Sequence, residues 1–286
     1  MAGDPQQLGP IVVSPLARQY GLDISLLQRL MASPLYSRGA RGYDGRCITK
    51  LVRSFRSHPA LLHLPAHLFY NGDLLPHADP TVVDRLLQFP GLTEEARGKT
   101  PLLVHGVVGA DMREATSPSY FNPTEAAVVL DYVERLLAEG VAASDIGVIA
   151  PYKKQVLKLR ERLQDLGLGV MVGSVEEFQG QEKVVIIVTT VRSSEPGLSD
   201  ASHQLGFLAN PRRFNVAITR AQALLVVVCN PHVLSRDPHW GRLVTHALEC
   251  GCYKGCPYPR QRPHQDVRCS VAWVLFNFLF SLLQEN

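Results

Sequence analysis

Arg220 is the first residue with chemistry to offer. It ends the stretch Arg212-Arg213-Phe214-Asn215-Val216-Ala217-Ile218-Thr219-Arg220, just ahead of the apolar run Ala223 to Val228. An always-charged, forked donor on a rigid element at a sheet edge suits a phosphate chain better than a flexible lysine does. The ordinary alternative for a lone arginine is a surface pair with a carboxylate. Gly98-Lys99-Thr100 also suggests phosphate, but Thr93 stands where a Gly-x4-Gly-Lys-Ser/Thr loop needs its first glycine. Pro101 and an apolar run follow, not the helix whose N-terminus would hold phosphate. No Asp-Glu pair ends a strand as a magnesium site demands, so the sequence carries neither half of the usual nucleotide-hydrolysing core.

The elements that must position Arg220 are readable. Asn210 is placed to cap a helix and Pro211 to start it. Phe214, Val216, Ala217 and Ile218 supply its buried face, with Arg213 and Arg220 outside it. Upstream, a helix is expected from about Ser14 to Met31, with Leu16, Leu22, Leu26, Leu27 and Leu30 inward. Cys47 to Val52 is a short apolar run, and a helical pattern follows Pro59 to about Tyr70. Residues 71 to 100, rich in Pro, Gly, Asp and Thr, read as a long insertion. Asn122-Pro123-Thr124-Glu125 starts a helix running to about Glu139, with cap, proline and N3 carboxylate in place. Another helix covers Lys153 to Leu166. Strands are expected at Leu102 to Val108, Ile146 to Ala150, Val170 to Val172, Val184 to Thr190 and Leu224 to Val228. Apolar strands alternating with amphipathic helices predict an α/β fold whose parallel sheet is covered on both faces. Ligands of such sheets lie beyond the carboxyl ends of the strands.

The chain has 286 residues, 46% of them hydrophobic and 19% charged, which marks a globular chain with ample core material. A net charge of +3 requires any nucleic-acid contact to come from a local groove. Six scattered or late cysteines without a signal peptide suggest a reducing compartment. Cys250-x-Cys252-x3-Cys256 lacks the second pair a zinc site needs, so no metal ligands are assigned. The opening Gly3-Asp4-Pro5 punctuation, with no strand before it, reads as a start inside a domain. The apolar stretch Val271 to Leu283 is shorter than the about 20 residues that span a bilayer, and no membrane contact is expected.

Four motifs in order carry a resemblance. Gly3-Asp4-x-x-Gln7-Leu8-Gly9-Pro10, Phe55-Arg56-Ser57-His58-Pro59, Ser174-Val175-Glu176-x-Phe178-Gln179-Gly180-x-Glu182 and Asn215-Val216-Ala217-x-Thr219-Arg220 resemble motifs III to VI of superfamily 1 helicases of the nonsense-decay-factor type. The wording around Glu176 and at Thr190-Val191-Arg192-Ser193-Ser194 resembles that of the Moloney-leukaemia-virus-10-like (Armitage) RNA helicases. The likeness covers roughly residues 1 to 259. It implies the trailing edge of a first RecA-like domain at 1 to 30, a second RecA-like helicase domain of the P-loop NTPase type at 31 to 259, and an atypical tail at 260 to 286.

The resemblance also implies ATP and Mg2+ shared with a first RecA-like domain outside this chain. Gln7 would sense the γ-phosphate, Phe55 would stack on adenine, and Arg56 and Arg220 would clamp phosphates, with Arg220 as arginine finger. Glu182, beyond Gly180, would accept from ribose. These residue types fit: donors for oxygens, a ring for a base, a carboxylate for hydroxyls. Taken alone, Phe55 fits a core and Glu182 a solvated ion pair. For single-stranded RNA, Ile149-Ala150-Pro151-Tyr152-Lys153-Lys154-Gln155 resembles a strand-contacting motif. Tyr152 would offer a stacking face and Gln155 an amide, with Ser174 and Arg192 as further contacts. The family further implies Argonaute- or Piwi-type silencing partners and a cytoplasmic, ribonucleoprotein-granule location. A fragment that binds RNA or a protein without turnover, and half of a DNA helicase, are the competing readings.

Overall fold

The computed structural model describes residues 1–39, 42–115, 117–193 and 206–258, side chains 206 and 207 excepted. The expected tail at 260 to 286 lies outside the described residues.

Continuous apolar runs build the centre. Strands β3 (Leu102–Gly106), β6 (Ile146–Ile149), β7 (Met171–Gly173), β8 (Lys183–Thr189), β9 (Ala221–Cys229) and β10 (Tyr253–Gly255) form one sheet in the order β10-β3-β9-β8-β6-β7. Every pairing in it is parallel. Alternation divides the strand residues between two cores. Leu102, Val104, Ile186, Val188, Leu225 and Val227 face one, Leu103, Val185, Ile187, Leu224, Val226 and Val228 the other. The first core is closed by helices α3 (Pro59–Phe69), α7 (Pro211–Ile218), α8 (Pro231–Leu234) and α9 (Pro238–Glu249). The second is closed by α5 (Pro123–Ala138) and α6 (Lys153–Asp165). Two small pairings flank the sheet: β1 (Arg53–Ser54) with β2 (Leu75–Pro76), and the antiparallel hairpin β4 (Met112–Arg113) with β5 (Tyr120–Phe121).

Most helix starts among the described residues follow one chemical rule, a side-chain acceptor followed by proline; the helices opening at Leu26 and Lys153 are the exceptions. Asn122, Asn210, Asn230 and Asp237 each accept from backbone N–H groups of the first turn and precede a proline at its start. This satisfies orphan donors and fixes φ in advance.

Four expectations need correction. The single helix from Ser14 to Met31 is two short ones, α1 (Pro15–Gln19) and α2 (Leu26–Met31), separated at Gly21, whose φ is +78°. Neither buries a residue, and Leu16, Leu22 and Leu26 are exposed. The stretch 71 to 100 is no loose insertion. It contains α4 (Pro80–Val83), buries Val83, and sets Leu86, Phe89, Leu92 and Ala96 into the cores. Tyr253–Gly255 forms an unforeseen edge strand beside β3 and buries Cys252. Arg220, expected outside the apolar face of α7, is only 1% exposed. Among the described residues no helix is long and apolar enough to cross a membrane.

Candidate functional site

The first cluster lies where the segment Phe55–His58 runs beside the start of β9. His58 donates its backbone N–H to Gln222 (2.9 Å), and the Ser57 hydroxyl donates to the Ala221 carbonyl (2.7 Å). These bonds fix Arg56 near Arg220. Arg56 Nε donates to Glu182 Oε2 at 2.6 Å, and its Nη1 to the Thr219 carbonyl at 3.3 Å. Glu182 Oε1 accepts from Gln222 (3.0 Å), so both carboxylate oxygens serve to orient neighbours. The Arg220 guanidinium donates to the Val216 carbonyl (3.1 Å), the Thr219 hydroxyl (2.9 Å) and the Gln181 carbonyl (3.4 Å). Among the described residues it has no carboxylate within ion-pair distance. Burial, and then the Arg56 charge, pull it down to about 10. A buried cation beside another cation, held by neutral acceptors alone, fits an anion.

Phe55 is 69% exposed, with His77 tilted against it at 5.8 Å, so it is not a core ring. Gly180 has φ +80° and nothing within 4 Å of a notional Cβ, so the chain there takes a turn that favours glycine and leaves open space. Gln7 reaches the cluster through an unforeseen hub. Its amide donates to Asp4 Oδ2 (3.0 Å), which also accepts from the Tyr70 hydroxyl (2.7 Å). Tyr70 in turn accepts from Asn215 Nδ2 (2.9 Å), and that amide also reaches the Gln6 carbonyl (3.0 Å). Tyr70 ends a helix outside every recognised motif, and only its hydroxyl at an otherwise apolar helix end hinted at it. Among the described residues no group of three His, Cys, Asp or Glu side chains could hold a metal, so Mg2+ is assigned no ligands here.

The second cluster lines a groove of about 770 Å3 between β5, the start of α6 and the loop after β7. Tyr152, Ser174 and Arg192 all line it, with Tyr120, Arg160 and Arg213. Arg192 pairs with Asp111 (3.0 Å), a side chain that is 1% exposed, and lies 4.1 Å over the Tyr120 ring. Arg213 pairs with Glu176 at 2.7 Å, tying α7 to the same wall. The Ser174 backbone N–H donates to Glu177 Oε2 (2.8 Å), and its hydroxyl accepts from the Glu177 N–H (3.4 Å).

Two groove assignments are corrected. Tyr152 is 7% exposed and stands edge-on to Tyr120 at 5.5 Å, with its hydroxyl pushed up to about 12 chiefly by burial. It is a groove wall, not a free stacking face. Gln155 is fully buried. Its Oε1 accepts from the Asn122 N–H (2.9 Å), and its Nε2 donates to the Asn122 carbonyl and the Thr189 hydroxyl (both 3.4 Å). It presents no amide to a ligand. Its position was readable: Gln155, Leu159 and Leu163 recur every four residues on the buried stripe of α6.

A parallel sheet covered on both faces by helices defines an α/β domain of the RecA-like class. The chain belongs to the AAA domain family, whose AAA_12 model matches residues 22–232. It is 51% identical over 270 residues to the human RNA helicase Mov10l1, covering 91% of this chain and 22% of that protein. It is 36% identical over 292 residues to the probable RNA helicase armi of Drosophila melanogaster, covering 96% of this chain and 24% of that protein. The regulator of nonsense transcripts 1 homolog of Neurospora crassa is 34% identical over 276 residues, covering 92% of this chain and 23% of that protein. The chain thus spans about a quarter of the length of these relatives, which bear out the resemblance to both helicase groups.

Proposed function

We propose that this chain is the C-terminal motor half of an ATP-dependent RNA helicase, coupling ATP hydrolysis to RNA unwinding or ribonucleoprotein remodelling in RNA silencing or decay. The observation that carries the reading is Arg220, a buried guanidinium beside Arg56 whose hydrogen-bond acceptors among the described residues are all neutral, with Glu182 and Asp4 acting on it only from beyond ion-pair distance. A polyphosphate supplies the missing charge. Arg56 and Arg220 donate to phosphate oxygens, and Arg220 stabilises charge developing on the transferred phosphoryl group. Phe55 offers its exposed ring to adenine. Glu182 orients Arg56 and accepts from ribose as that ion pair opens. Gln7, steered through Asp4 and Tyr70, reports the γ-phosphate to α7. ATP and Mg2+ are shared with a first RecA-like domain, which supplies the phosphate loop and the metal carboxylates.

Single-stranded RNA occupies the basic groove, contacted by Ser174, Arg192 and Arg213. A cytoplasmic location, including ribonucleoprotein granules, and Argonaute- or Piwi-type partners are part of this proposal, supported by the likeness to Mov10l1 and armi. The test joins this chain to a first RecA-like domain and measures RNA-stimulated phosphate release. Arg56→Ala and Arg220→Ala should each cut turnover by orders of magnitude while RNA affinity holds. Loss of RNA binding before turnover in Arg220→Ala would make that residue structural.

A second reading, RNA binding without turnover, needs only the groove and no bound nucleotide. RNA binding by the isolated chain, with no hydrolysis in the joined protein, would select it.

A further inference from the structure

The residue that the proposed chemistry leaves unused is Glu125, a carboxylate with no exposed surface. It stands in the first turn of α5, where the helix end favours negative charge. Its Oε2 accepts from the Thr189 hydroxyl (2.6 Å), the Thr190 N–H (2.9 Å) and the Val191 N–H (2.8 Å). Its Oε1 takes longer bonds from the Thr190 hydroxyl and Asn122 Nδ2, both 3.5 Å. Asn122 Nδ2 also donates to the Val191 carbonyl at 3.0 Å, so Val191 is held at both its N–H and its carbonyl. Gln155 braces the same turn through Asn122 and Thr189.

Such holding has a purpose in the backbone. Val191 has φ +69°, a left-handed conformation that a β-branched residue seldom adopts. It persists only where its surroundings over-determine it. The next residue is Arg192, turned onto Asp111 and the Tyr120 ring, and Ser193 donates its N–H to the same Asp111. Without the turn at Val191, the chain leaving β8 would continue as a strand and aim Arg192 elsewhere.

We propose that Glu125 is the positioning residue that aims Arg192 into the groove, through the turn Thr189-Thr190-Val191. This rests on the reading of that groove as the RNA track. Glu125 never touches RNA. Its carboxylate gathers three donors from consecutive residues, and their fixed spacing sets the guanidinium one residue further on. Burial lifts the carboxyl to about 7 against the pull of those donors, and the buried Cys229 thiol is close enough to be pushed up by Glu125 after its own burial. Beyond the turn, Arg192, Asp111, Tyr120 and Tyr152 are titratable groups that face one another.

The test is a double-mutant cycle of Glu125→Gln with Arg192→Ala on the whole chain. It is read by the Arg192 Nε resonance and by binding to a single-stranded oligouridine of about ten nucleotides. Glu125→Gln keeps the shape but replaces one acceptor oxygen by a donor. It should shift the Arg192 Nε resonance and lower the salt dependence of binding by about 0.7, one phosphate contact on a single strand. Adding Arg192→Ala should cost nothing further. An unmoved Arg192 resonance, or additive losses, overturns the proposal. If the resonance moves while neither variant changes RNA binding, Glu125 holds Arg192 but the RNA reading of the groove fails. Should Glu125→Gln not fold, the unmodified chain decides: the Arg192 Nε resonance must follow the Glu125 carboxyl carbon through its midpoint, and a flat response overturns the idea.

Discussion

Replacing Arg220 by lysine separates a phosphate-directed guanidinium from a generic buried cation. At this position burial and the Arg56 charge pull the guanidinium down to about 10. That corresponds to about 3 kcal/mol against the charged form. A lysine ammonium starts near 10.4 and is more strongly hydrated, so the same surroundings carry it to about 8 or below. The sign follows directly. A base with a depressed folded value is charged below that value and neutral above it. Lysine at 220 therefore loses its charge as pH rises through about 8, while arginine keeps its charge until about 10. Lysine also cannot reproduce the fork that reaches the Val216 carbonyl and the Thr219 hydroxyl together. In a protein joining this chain to a first RecA-like domain, Arg220→Lys should cut ATP turnover roughly 10²-fold or more at neutral pH. The remainder should fall about tenfold per pH unit above about 8. Arg220→Ala should lose roughly 10³-fold or more. Phosphate release measured from about pH 6 to about pH 9.5 gives both numbers in one series. Near-normal turnover with Arg220→Lys and a flat profile would refute the assignment, since it would mean that the fork and the charge at 220 do not act on the phosphates.

The chain by itself should not hydrolyse ATP, because two arginines and a glutamine cannot position a nucleophile; RNA-stimulated phosphate release abolished by Arg220→Ala would contradict this. Asn210→Ala, which removes the acceptor for the Arg212 and Arg213 N–H groups, should cost about 1 kcal/mol in urea unfolding. Gln155→Ala should lower stability by about 1–3 kcal/mol, since it strands the buried Asn122 N–H; a selective loss of RNA affinity at unchanged stability would restore it as a contact. Amides of α1 and α2, which bury no side chain, should exchange far sooner than those of β8 and β9. Slow exchange throughout residues 10 to 31 would show that this segment packs more tightly than its exposed leucines suggest.

The sheet was legible because parallel strands buried on both faces read as near-continuous apolar runs, and five of its six strands have such a run at their centre. Helix starts were legible because Asn122-Pro123 and Asn210-Pro211 satisfy orphan donors and fix φ in two consecutive letters. The stretch 71 to 100 misled for the reverse reason. Its Pro, Gly and Asp punctuation is genuine, yet Leu86, Phe89 and Leu92 between the turns are all buried. Short segments of turn can fill a core without periodicity, and no window average registers that. Strand β10 has three residues and lies at a sheet edge, too short for any alternation to show.

The site divides along the same line. A motif places Arg56, Glu182 and Arg220 on one edge, but which partner each takes depends on contacts across the fold: Arg56 meets Glu182 across 126 positions of sequence. Tyr70 and Asp4, 66 positions apart, join the same network with no local sign. Gln155 shows how a resemblance can outrank a stronger local signal. An amide in a strand-contacting motif suggests a ligand contact, whereas its register with Leu159 and Leu163 assigns it to the core. What it contributes there is the support of Asn122 and Thr189, and through them of the turn that carries Arg192. In this groove the arginine proposed to meet the ligand is visible in the sequence. The groups that aim it are buried polar side chains on other elements, recognisable only once their donors and acceptors are counted in three dimensions.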